Sequence, residues 1–127
     1  MNKIKFLSET QKERVINLLE KYNKIYTAIG EVDAEFLSVY YLLCSDLMWD
    51  CTSAYVDDSL INFEELLMEP LLQGEAEVIA KIAYTLYNEG GDLEFKDIIR
   101  HITRENWELV SNAMNYRKLG IKIEELN

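Results

Sequence analysis

The chain is 127 residues long, with a net charge of −10, 49% hydrophobic residues and 28% charged residues. That length reads as one ordinary domain, able to fold without a metal or a disulfide, and that balance is globular rather than disordered. The negative charge disfavours phosphate backbones and anionic membranes, which call for clustered Lys and Arg, and it favours basic partners.

The charge is concentrated. Residues 25–80 hold twelve acids and neither Lys nor Arg, so they carry −12 and leave +2 for the rest of the chain. The same stretch carries Phe36, Tyr40, Tyr41, Leu42, Leu43, Leu47, Met48, Trp49, Tyr55 and Phe63. A block that is both acidic and apolar can fold, and it can bind. No run approaches the ~20 apolar residues of a membrane span. The polar Ser8–Arg14 follows the N-terminal residues too soon for a signal peptide. Cys44 and Cys51, about two turns apart on one helix, are too far apart to bridge. They read as buried free thiols in a reducing, cytoplasmic setting.

Ser8-Glu9-Thr10-Gln11 is a capping box. The helix it opens places Val15, Leu18, Leu19 and Tyr22 on one stripe, and Gly30 ends that segment. Asp33 caps a second helix, expected from Ala34 to at least Cys51. Phe36, Leu37, Tyr40, Leu43, Cys44, Leu47, Met48 and Cys51 form its core face. Leu42 and Trp49 fall on the far side, bordered by Glu35, Asp46 and Asp50. They form either a second packed face or an exposed apolar strip flanked by acids.

Tyr55 to Leu60 reads as a loop. Asn62 caps a short helix that Pro70 ends, and a helix from Glu75 to Asn88 buries Val78, Ile79, Ile82, Ala83 and Leu86. Residues 88–91, Asn-Glu-Gly-Gly, read as its stop, and Asp92 as the cap of a short helix with Phe95, Ile98, Ile99 and Ile102 inward. Thr103 caps the last helix, with Trp107, Val110, Ala113 and Met114 inward, and Gly120 follows its end. The sum is an all-α, compact single-domain bundle of about five to six helices.

Little catalytic chemistry is visible. The one His, His101, cannot build a zinc or di-iron set. Asp46 with Asp50, or Asp57-Asp58 with Glu64-Glu65, lack the alternation and central Gly of a calcium loop. No nucleophile elbow and no phosphate-binding glycine loop occurs. The expectation is no enzyme, no cofactor and no metal.

Several stretches carry a family likeness. They are Phe6-Leu7-Ser8-Glu9, then residues 37–43 (LSVYYLL), then Pro70 to Glu75 running into residues 82–88 (IAYTLYN). Thr103-Arg104-Glu105-Asn106-Trp107, leading to Ala113 and Tyr116-Arg117, completes the set. On these the chain resembles an uncharacterised family of small proteins from phages and mobile elements of Gram-positive bacteria. The resemblance spans nearly the whole chain, least so between Cys44 and Leu66. It implies a cytoplasmic protein of a mobile element and brings no activity.

The expected function is a non-enzymatic, acidic protein-binding module. Asp46, Asp50, Asp57, Asp58, Glu64, Glu65 and Glu69 would meet a basic site, with Leu42, Trp49 and Tyr55 as apolar anchors. In a mobile-element setting the sharpest form is an inhibitor of a host defence nuclease acting by nucleic-acid mimicry. The alternatives are a homodimer built on the far side of the second helix and a small metal-dependent carboxylate enzyme.

Overall fold

The computed structural model describes residues 4–88 and 93–126. Among them are seven α-helices: α1 (Glu9–Lys21), α2 (Ala34–Leu43), α3 (Trp49–Val56), α4 (Phe63–Leu66), α5 (Glu75–Asn88), α6 (Phe95–His101) and α7 (Arg104–Leu119). Three two-residue strands, β1 (Ile25–Tyr26), β2 (Glu31–Val32) and β3 (Ile121–Lys122), form an antiparallel sheet in that order. The fold is otherwise all-α. The small sheet was not expected. Gly30, at φ 70°, turns the chain so that Ile25 faces Val32, and Ile121 then pairs with Val32 from the other side.

Helix α2 is the centre. Eight consecutive residues, Phe36 to Leu43, are buried, and α7, α5, α1 and α3 pack around them. A helix apolar on every side has no solvent face and must be enclosed. Leu42, placed on the far side of this helix by the sequence, is fully buried and unavailable to any partner. The other helices bury one stripe each. Val15, Leu18 and Leu19 of α1 and Val78, Ile79, Ile82 and Ala83 of α5 go inward, as expected.

The second helix is shorter than the sequence suggested, because its end is made by side chains. The last four carbonyls of a helix lack intrahelical partners. Here Gln11 Nε2 donates to Tyr41 O (2.7 Å), Ser45 Oγ to Leu42 O (2.7 Å), Thr52 Oγ1 to Leu43 O (2.6 Å) and Arg14 Nη1 to Cys44 O (3.2 Å). The chain then turns and restarts as α3. Leu47, assigned to the core on the assumption of a continuous helix, becomes 44% exposed at this turn. The break also accounts for the extra helix. Tyr55, expected in a loop, lies in α3.

The caps follow the sequence in part. Ser8 Oγ accepts from Gln11 N, Asp33 Oδ1 from Phe36 N and Asn62 Oδ1 from Glu65 N. Gln11 does not complete the expected box; its Oε1 takes the Leu7 N–H instead. Helix α7 is capped from another helix. Glu75 accepts from Thr103 N at 2.5 Å and from Asn106 Nδ2 at 2.6 Å. The expected stop at Glu89, Gly90 and Gly91 and the expected cap at Asp92 lie outside the described residues.

The two buried hydroxyls Thr52 and Tyr40 are expected to behave oppositely. Thr52→Val keeps the shape but strips Leu43 O of its donor, which costs about 1–2 kcal/mol. Among the described residues Tyr40 Oη has no hydrogen-bond partner. Tyr40→Phe is therefore expected to leave stability unchanged or raise it by up to about 1 kcal/mol. Urea unfolding of both variants measures the contrast.

Candidate functional site

The turn after α2 sets the acidic segment against α1. Thr10, Arg14 and Lys21 lie along one side of α1, and residues 46–57 run beside it in the same direction, held at both ends. At one end Asp46 Oδ1 accepts from Thr10 Oγ1 (2.6 Å) and Arg14 Nη1 (3.1 Å). At the other, Asp57 Oδ1 accepts from Lys21 Nζ (2.8 Å) and Tyr22 Oη (2.5 Å). Between them the Arg14 guanidinium stacks 4.6 Å from the centre of the Trp49 ring. Trp49 is half-buried and packed against the core.

Three expected site residues are thus already occupied within the chain. Asp46 and Asp57 are neutralised by Arg14 and Lys21, and Trp49 is covered on one face by a cation. With Leu42 buried, the strip of Leu42 and Trp49 does not form. The causes are two: α2 is enclosed on every side, which buries Leu42, and the chain breaks after Leu43, so Leu42 and Trp49 do not share a helix.

A second set remains free of cations. Asp50, Asp58, Glu64, Glu65 and Glu69 take part in none of the ion pairs among the described residues. Asp58 accepts from Ser59 N, and Glu69 Oε2 accepts from Tyr55 Oη at 2.5 Å. The Tyr55–Glu69 bond ties α3 to the segment after α4 and pushes the phenol pKa up. Large apolar side chains are exposed in the same stretch: Leu60 (68%), Met68 (78%) and Leu71 (69%). The exposed apolar side chains beside unpaired acids are therefore on α4 and its flanks, not at Leu42 and Trp49.

Those three residues went unnoticed because they sit in irregular segments, where periodicity says nothing. The two bases were more legible. Arg14 and Lys21, seven apart on the polar side of α1, lie just ahead of an acidic stretch that has no cation of its own.

Comparison with protein-family models, with curated proteins and with solved structures finds no match to this chain. The surface must be read from its own chemistry. Among the described residues no three His, Cys, Asp or Glu side chains come together to hold a metal ion, and no helix is long and apolar enough to cross a membrane.

Asp46 and Asp57 are both held below the ordinary carboxylate range. The Thr10 hydroxyl is the main cause at Asp46, aided by Ser8 and Arg14; Lys21 leads at Asp57, followed by Tyr22. A lowered folded value contributes stability that is complete above the unfolded value, ~4, and lost as the pH falls through the folded one. The α1–α3 clamp is therefore expected to persist to below pH ~4. Trp49 emission in a Trp107→Phe background should shift only in that acid range. A shift completed above pH ~5 would contradict the assignment.

Proposed function

We propose that the chain is a non-enzymatic binding protein whose α3–α4 side docks on a basic surface of another protein. One observation carries this reading: five carboxylates without a cationic partner stand in one stretch with three exposed apolar side chains. Charge without apolar anchors would be a solvated face. Exposed apolar side chains interspersed along the chain with acids that take no cation have the composition of a contact surface. The partner chemistry that matches is a cluster of Lys and Arg around an apolar depression. Complementary charge of this kind speeds encounter and makes it sensitive to salt.

In the mobile-element setting that the sequence resemblance implies, the sharper form is an inhibitor of a host nucleic-acid-handling enzyme. Carboxylates of Asp50, Asp58, Glu64 and Glu65 would take the place of backbone phosphates in its groove. Asp46 and Asp57 belong to the protein's own clamp in this revised form and contribute only through the seating of α3.

The test is affinity capture at low and high salt, followed by titration of the retained protein with purified variants. Asp50→Lys, Asp58→Lys, Glu64→Lys and Glu65→Lys together are expected to weaken binding at least about tenfold while the helical spectrum is retained. A retained partner whose affinity ignores both salt and these four reversals would overturn the proposal.

A further inference from the structure

Two residues of α3, Cys51 and Tyr55, stand four positions apart and so share a face. Both reach the turn that joins α4 to α5. Tyr55 Oη donates to Glu69 Oε2 (2.5 Å), and Cys51 Sγ, a weaker donor, approaches Leu71 O at 3.7 Å. The other oxygen of Glu69, Oε1, accepts from Leu71 N at 3.4 Å. The backbone of Leu71 is therefore held at both of its polar groups, the N–H through Glu69 and Tyr55 and the carbonyl by Cys51. Leu72 N donates to Glu69 O (3.0 Å), so the turn closes around the same residue.

This turn has little else to hold it. Of residues 68–73 only Leu72 is buried, whereas Met68 and Leu71 are the exposed apolar side chains described above. A short irregular segment with one buried side chain belongs to the low-stability end of a fold and opens without the rest. A few hydrogen bonds to a helix then decide which way its side chains face. Apolar side chains released from such a turn fold back on nearby apolar surface, and reordering them subtracts from the affinity of any partner. Among the five acids that take no cation, Glu69 has both oxygens engaged by the chain's own donors.

We infer that Glu69 is a positioning residue of the α3–α4 surface and not one of its contact acids: with Tyr55 it latches the turn to α3 and holds Met68 and Leu71 outward. This deepens the proposed docking function and rests on it only for what the held side chains touch. Glu69 serves as an acceptor, so an amide in its place serves as well and the charge is dispensable. Tyr55, expected from the sequence as an apolar anchor, acts through its hydroxyl.

The two cysteines report on the turn without any partner. Cys51 is half-buried with its sulfur against Leu71, while Cys44 is fully buried and burial pushes its thiol up, away from the reactive thiolate. The measurement is the rate of alkylation by iodoacetamide, with the modified residue located by peptide mass spectrometry. Tyr55→Phe leaves every charge and every exposed apolar side chain in place. It is expected to speed modification of Cys51 several-fold while Cys44 stays unmodified. Glu69→Ala should do the same, and Glu69→Gln, which keeps an acceptor, should stay within about twofold of the wild type. Unchanged Cys51 rates in Tyr55→Phe and Glu69→Ala would overturn the proposal. Modification of Cys44 at the same pace would overturn it too, since the bond would then hold the whole fold and not the turn.

A partner retained by affinity capture allows position to be separated from charge. Tyr55→Phe should speed its dissociation several-fold and leave its association rate unchanged, because the charges that steer encounter are untouched. Glu69→Gln should bind as the wild type does. Weaker binding by Glu69→Gln with none lost in Tyr55→Phe would make Glu69 a contact acid and sink the inference. Should capture retain no partner, the docking function fails, and the thiol rates alone decide whether the latch exists.

Discussion

Four side chains finish helix α2, and much of the molecule follows from them. Gln11 and Arg14 reach across from α1, while Ser45 and Thr52 reach back from the next turn and from α3. Each adds a side-chain donor at a carbonyl of the last turn or of the cap, and Leu42 O accepts from Ser45 N as well. Buried carbonyls leave no tolerance for an unmade bond, so the geometry of the turn is fixed by satisfaction rather than by a glycine or proline. The turn in turn decides that α3 runs beside α1. Arg14 serves both functions, capping Cys44 O, pairing with Asp46 and stacking on Trp49.

This arrangement sorts the acids. Those that lie against α1 meet its bases and become part of the scaffold. Asp50, Asp58, Glu64, Glu65 and Glu69 take part in no ion pair among the described residues. Ion pairs as exposed as Asp46–Arg14 and Asp57–Lys21 contribute little stability alone. Their effect is directional: they hold the two ends of the 46–57 segment, and the Tyr55–Glu69 bond carries that orientation on to α4. The surface proposed to bind is positioned by residues outside it. Glu75 plays a comparable part at the other side, joining the start of α5 to the start of α7 with one carboxylate. Burial alone would raise its pKa, yet the hydrogen bonds from Thr103 and Asn106 hold it lowered.

The sequence revealed the elements with a single buried stripe most fully. α1 and α5 announce themselves by period and caps, and the all-α class follows from them. α2 was legible as a helix through Asp33 and its apolar run, but its end was not. No local signal separates Leu43 from Cys44; the stop depends on Gln11 and Arg14, each thirty positions before the carbonyl it reaches, and on Thr52 beyond it. The misplacement of Trp49 comes from that one error, whereas Leu42 is buried because α2 is enclosed on every side. Phe95, Ile99 and Trp107 show the opposite failure. Their spacing is right for burial, yet they stand 75%, 59% and 42% exposed. The acidic character of residues 25–80 was plain from composition, whereas which acids stay unpaired required the fold.

The enclosure of α2 has a consequence for the unfolded chain. Residues 36–44, Phe-Leu-Ser-Val-Tyr-Tyr-Leu-Leu-Cys, contain no charge and no proline or glycine. Released from the bundle, such a run has the aromatic and apolar content of a segment that pairs with copies of itself as stacked strands. Glu35 on one side and Asp46 on the other are the nearest charges that would oppose this. Helices α1, α5 and α7 therefore act as a cover as well as a core. Opening of that cover would be seen as aggregation before it is seen as loss of helix, and the rate of that opening sets the shelf life of the protein in concentrated solution.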